Sequence, residues 1–133
     1  MKNKALQQTA ISIALIIFGL PTITVAQSPS NRVELQRHDI SVEGREVLQV
    51  IVTVSKGEIF PKHKHPGEEV IYVLKGMLEY HVGDELPVTL KAGEVLFIPY
   101  GIIHFAKNVG SDDAMELATY IVKKGNLLVD IIK

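Results

Sequence analysis

The sequence predicts an all-β domain, a sandwich or barrel of short strands. Runs rich in β-branched and aromatic residues recur along the chain, among them REVLQVIVTVS from Arg45, EVIYVL from Glu69 and EVLFIP from Glu94. Glycines separate these runs at intervals of about 7 to 15 residues, a spacing typical of short strands joined by turns. No long helical pattern follows residue 26, and 133 residues suit one domain.

The first 26 residues predict a secretory signal peptide. Lys2 and Lys4 precede an apolar run over residues 10–20, and the segment ends on small Ala26. An uncleaved membrane anchor is the alternative, because residues 10–26 make 17 positions, the lower edge of a bilayer span. Cleavage after Ala26 implies a periplasmic or secreted protein.

The composition of residues 27–133 changes at Arg45. Residues 27–44 are mostly polar without a clear period, and we expect a flexible lead-in with at most a short strand near residues 33–35. Residues 45–133 carry the predicted strands and form the single β domain.

Composition excludes several classes of function. The chain has no cysteine, which excludes disulfides, thiolate metal ligands and a cysteine nucleophile. Without Lys2 and Lys4, 12 basic residues face 15 acidic ones, a formal net charge of −3. There is no basic run, so we expect neither nucleic-acid binding nor, after signal cleavage, attachment to a membrane.

A cluster of metal-ligand residue types begins at His63. Because alternate side chains of a strand share one face, His63 and His65 point the same way and Lys64 points opposite. Pro66 and Gly67 turn the chain, and Glu69 opens the next strand, where it can fold back as a third ligand; Glu68 is its competitor. Solvated polar residues at a strand end are the alternative interpretation.

Two motifs give the chain a family resemblance. A glycine, five residues, HxH, three residues, a glutamate, six residues and a glycine are matched by Gly57, His63, His65, Glu69 and Gly76. A glycine, five residues, PxG, two residues, a histidine, three residues and an asparagine are matched by Gly93, Pro99, Gly101, His104 and Asn108. The chain therefore resembles the cupins over roughly residues 45–122.

The resemblance implies a small double-stranded β-helix, the jelly-roll barrel of cupins. It also implies one divalent transition metal ion, zinc, copper, nickel, iron or manganese, held by four ligands: His63, His65, Glu69 and His104. Asn108 is expected to stabilise a turn, and His38 and His81 match neither motif. A homodimer is implied by the resemblance alone.

The resemblance does not fix a reaction. Four protein ligands leave about two positions open on an octahedral ion, which permits substrate or dioxygen binding. Because only Arg32, Arg37 and Arg45 are present, and we expect at most Arg45 to reach the barrel mouth, we predict a small, weakly charged or aromatic substrate. Catalytic residues stay unassigned, with Tyr120 and Glu58 as acid–base candidates.

A quercetinase-like, metal-dependent dioxygenase is the favoured hypothesis. The alternatives are a metal-dependent isomerase or lyase of small organic acids or sugars, and a non-enzymatic protein of the cell envelope that binds a ligand or metal.

Overall fold

Residues 31–133 are all-β, as predicted. A computed structural model describes residues 31–133, so the predicted signal peptide lies outside the described residues. Among the described residues there is no helix that could span a membrane. The strands are β1 (Asn31–Asp39), β2 (Arg45–Val54), β3 (His63–Lys64), β4 (Gly67–Lys75), β5 (Met77–Val82), β6 (Val88–Lys91), β7 (Val95–Ile98), β8 (His104–Asn108), β9 (Ala114–Lys123) and β10 (Asp130–Ile131).

The strands form two five-stranded antiparallel sheets. One has the order β1-β2-β9-β4-β7 and the other β10-β3-β8-β5-β6. Consecutive strands often lie in different sheets, so the chain crosses repeatedly between the layers. This arrangement agrees with the jelly-roll barrel that the two motifs imply.

Strict alternation of side chains produces the core. In β2 every second residue is buried, from Glu46 to Val54, and β9 alternates in the same way from Ala114 to Val122. β2 and β9 are paired over ten residues, so their buried faces form one continuous inner wall. Leu78, Tyr80 and Val82 of β5 line the opposite sheet.

The expected flexible lead-in is wrong for residues 31–39. They form the nine-residue strand β1, which pairs with β2 along almost its whole length around a bulge between Glu34 and Gln36. The amino-acid composition gives little sign of this strand. Its two apolar residues, Val33 and Leu35, are about half exposed, so the strand has no buried apolar face that would produce a clear pattern in the sequence. Pairing with a long neighbouring strand outweighs its weak intrinsic preference.

Two glycines are required by the backbone around the first motif. Gly76 has φ of 79°, and a Cβ there would lie 2.8 Å from the Cβ of Ala114. At Gly67, a Cβ would lie 2.0 Å from the carbonyl oxygen of Ile121. Any side chain at Gly67 would therefore push β4 away from β9 and displace Glu69, two residues later.

The outer face of the first sheet carries an apolar row, defined by Val33, Ile51, Leu117, Tyr72 and Val95. These residues are successive cross-strand partners, so the row crosses all five strands. Four strand spacings of about 4.8 Å make it roughly 19 Å long.

Candidate metal centre

Four side chains from three strands and one turn meet inside the barrel. His63 lies on β3 and is the direct cross-strand partner of His104 on β8. His65 follows β3, and Glu69 lies on β4 in the opposite sheet. All four are buried, with exposed fractions of 3 to 6%. The structure thus brings together every residue that the resemblance implied as a ligand.

The alternation predicted around the first motif is confirmed. Lys64, between the two histidines, is partly exposed and lies 3.5 Å from Asp130. Glu69 faces inward, whereas Glu68 faces outward and forms an ion pair with Arg45 at 3.1 Å. The register through the turn at residues 66–67 therefore selects Glu69 rather than Glu68 for the interior.

Each histidine ring is oriented by a backbone carbonyl. Nδ1 of His63 donates to Pro61 at 2.8 Å, and Nδ1 of His104 donates to Ile102 at 2.9 Å. Nδ1 of His65 donates to Leu128 at 2.6 Å. A carbonyl can only accept, so Nδ1 carries a proton in each ring, and Nε2 keeps a free lone pair whenever the ring is neutral. Metal-binding histidines are oriented in this way.

The geometry fits a metal ion. The ligand atoms of His63, His65 and His104 lie within 4.8 Å of one another, a group that can hold an ion. Oε2 of Glu69 lies 3.2 Å from Nε2 of His65 and 3.1 Å from Nε2 of His104. Two atoms bound to a common ion at about 2.1 Å lie roughly 3 Å apart.

Three of these atoms have no other partner. Nε2 of His65, Oε2 of Glu69 and Nε2 of His104 are buried without a hydrogen-bond partner among the described residues. Burying a polar atom without a partner costs about 1–3 kcal/mol. A cation at their meeting point would satisfy all three, so the residues present fit a metal ion.

The electrostatics favour an anionic Glu69 and a neutral His63. Burial alone would lower the pKa of His104, but the neighbouring carboxylate of Glu69 outweighs burial and raises that pKa. Burial alone would raise the pKa of Glu69, but His104 and His65 outweigh burial and hold that pKa well below its usual range. Burial, assisted by the neighbouring His104, lowers the pKa of His63 to about 4. His63 is therefore neutral at pH 7, with its lone pair free, and Glu69 is a carboxylate.

Beside the four residues lies a small cavity of about 20 Å³, room for one or two water molecules. Its wall includes the polar side chains of Arg32, Tyr80, Glu116 and Tyr120. Arg32 donates through Nη2 to the hydroxyl of Tyr120 at 2.7 Å. Its guanidinium also lies over the Phe60 ring, 5.8 Å from the centroid.

Glu116 is a second buried carboxyl group at this cavity. It accepts a hydrogen bond from the Tyr80 hydroxyl, and burial together with the charge of Glu69 raises its pKa to about 7. Near neutral pH, Glu116 therefore takes up and gives up a proton readily, unlike Glu69.

The arginine prediction was wrong. Arg45 does not line the cavity but pairs with Glu68 at the surface, whereas Arg32 does line it. The reason is β1, the unexpected strand, which pairs Arg32 with Val52 of β2 and turns its side chain inward. An arginine therefore does reach the site, contrary to the expectation from which a weakly charged substrate was predicted.

Of the two acid–base candidates, only Tyr120 lies at the cavity. Glu58 is partly exposed and accepts the backbone N–H of Ser55 instead. The sequence analysis missed Glu116, whose only signal is a charged residue within the apolar run of β9.

Two other residues lie outside the site, as expected. His81 stacks on Phe105 with ring centroids 4.3 Å apart, and Asn108 stabilises its turn by donating a hydrogen bond to the carbonyl of Val54.

Comparison with known proteins agrees with the motifs. A family model of the cupin domain matches residues 50–122. A germin-like protein, subfamily 2 member 2, from Arabidopsis thaliana is 36% identical over 74 residues, which cover 52% of this chain and 34% of the relative. The chain spans about a third of the length of the curated relatives it matches.

Solved structures share the fold. A protein with a double-stranded β-helix domain from Klebsiella pneumoniae aligns with a TM-score of 0.65 and 20% identity, covering 80% of this chain and 89% of that protein. Oxalate decarboxylase from Bacillus subtilis aligns with a TM-score of 0.57 and 20% identity, covering 71% of this chain and 30% of the enzyme.

Proposed function

The chain belongs to the cupin domain family, and we propose that it is a metal-dependent enzyme acting on a small organic acid. The proposed ligands are His63, His65, Glu69 and His104. The observation that carries the proposal is the orientation of all three rings by carbonyls, which leaves each Nε2 available to a metal ion when its ring is neutral, beside one carboxylate. Zinc, copper, nickel, iron and manganese all accept such ligands.

A bound ion of this kind supplies Lewis-acid polarisation of a substrate oxygen, and a redox-active ion also supplies electron transfer. The size of the substrate is limited by the protein. A cavity of about 20 Å³ holds only one or two water molecules, so the barrel would have to open for any substrate, and much further for a flavonol than for a small acid. The quercetinase-type substrate therefore has less support than a small one.

The charge of the substrate follows from Arg32. Among the described residues no carboxylate lies within ion-pair distance of its guanidinium, although it contributes to the wall of the cavity. A planar guanidinium can bind a carboxylate through two hydrogen bonds. We therefore favour an anionic substrate over the weakly charged one expected from the sequence.

Glu116 and Tyr80 would handle protons. Glu116 has a pKa of about 7 and faces the same cavity as His63, Glu69 and His104. It would give a proton to the bound acid or take one from it, with Tyr80 fixing the carboxyl group. This arrangement favours the isomerase or lyase alternative, which needs a proton carrier, over the dioxygenase hypothesis, which needs dioxygen and a redox-active ion.

A substrate screen with oxygen monitoring tests the proposal. The metal-loaded protein is supplied with a panel of small mono- and dicarboxylic acids, each paired with its uncharged amide. We expect turnover of an acid but not of its amide, without oxygen consumption, and loss of that turnover in Glu116→Gln but not in the surface variant Glu79→Gln. Oxygen uptake with the acids or with polyphenols would favour the dioxygenase. Binding without any turnover would favour the non-enzymatic alternative.

We also propose export to the periplasm or the medium. The support is the charged start, apolar centre and small-residue end of residues 1–26. Sequencing the N-terminus of protein isolated from native cells should find Gln27 first. A chain still carrying residues 10–26 and found in the membrane fraction would support the anchor instead.

A further inference from the structure

One of the three histidine rings depends on a distant part of the chain. The carbonyls that orient His63 and His104 belong to residues two positions earlier, so these rings are fixed locally. The carbonyl that orients His65 belongs to Leu128, 63 residues later. The position of His65 therefore depends on whether the C-terminal segment, defined as residues 124–133, is docked.

The segment is attached at a few identifiable points. Within residues 31–133 its strand β10 pairs only with β3, through Asp130 opposite Lys64 and Ile131 opposite His63. The backbone N–H of Ile132 donates to the carbonyl of Lys62 at 2.9 Å. The side chain of Leu128 packs against the hydrophobic core.

The other contacts of the segment lie at its first residue and on the surface: Lys124 donates to the Gly44 carbonyl and to Asp39, and Asp130 lies 3.5 Å from Lys64. β10 is a two-residue strand at the edge of its sheet, and most residues from 124 to 131 are exposed, including Leu127 at 76%. Segments with few buried contacts open more readily than the core in which they end. Leu128 is thus both the apolar anchor of the segment and the source of the carbonyl.

We propose that the C-terminal segment positions a metal ligand, with the Leu128 carbonyl holding His65 in the tautomer and orientation that present Nε2 to the ion. The inference rests on the proposed function in that His65 must be a ligand. Once the segment detaches, the ring can rotate or carry its proton on Nε2, and a protonated nitrogen cannot bind a metal. Loss of such an outer partner typically lowers metal affinity 10- to 100-fold.

The coupling works in both directions. If docking of the segment raises metal affinity by a given factor, metal binding raises the docking equilibrium by the same factor. A bound ion should therefore slow the opening of the segment, although no atom of the segment is itself a ligand.

Two neighbouring leucines give a matched test. Zn²⁺ is titrated into the full chain, into Leu128→Ala and into Leu127→Ala, with a competing chelator to measure affinity. We expect Leu128→Ala to bind about 10- to 100-fold more weakly and Leu127→Ala to bind as the native protein does. Leu128→Met, which keeps an apolar anchor, should restore most of the affinity. Equal affinities of the two alanine variants would overturn the inference.

A second variant removes the hydrogen bond and keeps every side chain. Replacing Val129 with its α-hydroxy analogue turns the Leu128 carbonyl into that of an ester, a weaker acceptor. The N–H of Val129 makes no hydrogen bond within residues 31–133, so little else is lost. We expect weaker Zn²⁺ binding and a change in the ¹⁵N chemical shifts of the His65 ring. Unchanged affinity would contradict the role given to the carbonyl.

Hydrogen exchange measures the reverse direction. Saturating Zn²⁺ should slow exchange at the amide of Ile132 by a factor similar to the loss in Leu128→Ala, and leave the amide of Gly83, bonded to Ile103, nearly unchanged. A native chain that binds no Zn²⁺ would overturn both the proposed function and this inference. A native chain that binds Zn²⁺ without protecting Ile132 would overturn the inference alone.

Discussion

Replacing Glu116 with glutamine tests the electrostatics of the barrel interior. The pKa of Glu116 is raised from an ordinary 4.5 to about 7, by burial first and then by the charge of Glu69. A tenfold change in proton affinity corresponds to about 1.4 kcal/mol, so ionising this group costs the folded state about 3 kcal/mol more than it costs the unfolded chain.

The direction of the pH effect follows from which state keeps its proton. Because the folded pKa is the higher one, the folded state holds the proton of Glu116 above pH 4.5, where the unfolded chain releases it. The contribution of Glu116 to stability is full below pH 4.5 and is lost as the pH rises to about 7. In Glu116→Gln there is no proton to lose, and the amide oxygen still accepts from Tyr80.

The assay is urea unfolding of the metal-free protein in chelator, at several pH values between about 4.5 and 8. The free energy of unfolding of the native chain, minus that of Glu116→Gln, should fall by about 3 kcal/mol across this range. Glu68→Gln, at the surface, is the control and should show no such trend relative to the native chain. Parallel pH profiles for the native chain and Glu116→Gln would refute the reasoning.

Three further predictions concern the ligand set, the turn and the outer face. Glu69→Gln should sharply weaken Zn²⁺ binding in calorimetry, whereas Glu68→Gln should not, because only Glu69 faces the histidines. Asn108→Ala should lower the free energy of unfolding by about 3 kcal/mol in urea, because it removes buried hydrogen bonds to the carbonyls of Val54 and Asp112. The expected homodimer should use the outer apolar row, so Tyr72→Lys should shift sedimentation toward the monomer.

Each of these has a contradicting result. Weaker Zn²⁺ binding in Glu68→Gln, with normal binding in Glu69→Gln, would mean that Glu68 and not Glu69 faces the histidines. A loss below about 0.5 kcal/mol in Asn108→Ala would mean that its bonds are replaced by water. A native chain that sediments as a monomer at all concentrations would contradict the dimer, and Leu86→Lys, another exposed apolar residue, is the control for Tyr72→Lys.

The sequence predicted the β class and the four residues that meet in the barrel. The β class and the relation among His63, His65 and Glu69 depend on local rules of strand geometry, which hold in the folded protein. Alternation along a strand fixes the relation of His63, Lys64 and His65, and the motif spacing carries that relation through the turn to Glu69. His104 was reached only through the family resemblance, because no local rule connects β8 to β3.

What the sequence missed depends on pairings between distant strands. Arg32 enters the cavity only because β1 pairs with β2, and the composition of residues 27–44 does not predict that strand. β9 has apolar residues on both faces, so alternation alone cannot decide that Glu116 points inward and Leu117 outward. The contact of Leu128 with His65 spans 63 residues and uses a backbone carbonyl, which leaves no trace in side-chain patterns.

Metal content is the most direct test of the central claim, that His63, His65, Glu69 and His104 hold one ion. Elemental analysis is carried out on the native chain, on His104→Ala and on His81→Ala, all purified without chelator. We expect about one equivalent of a divalent transition metal in the native chain and in His81→Ala, and a small fraction of that in His104→Ala. Equal metal content in His104→Ala and His81→Ala would contradict it.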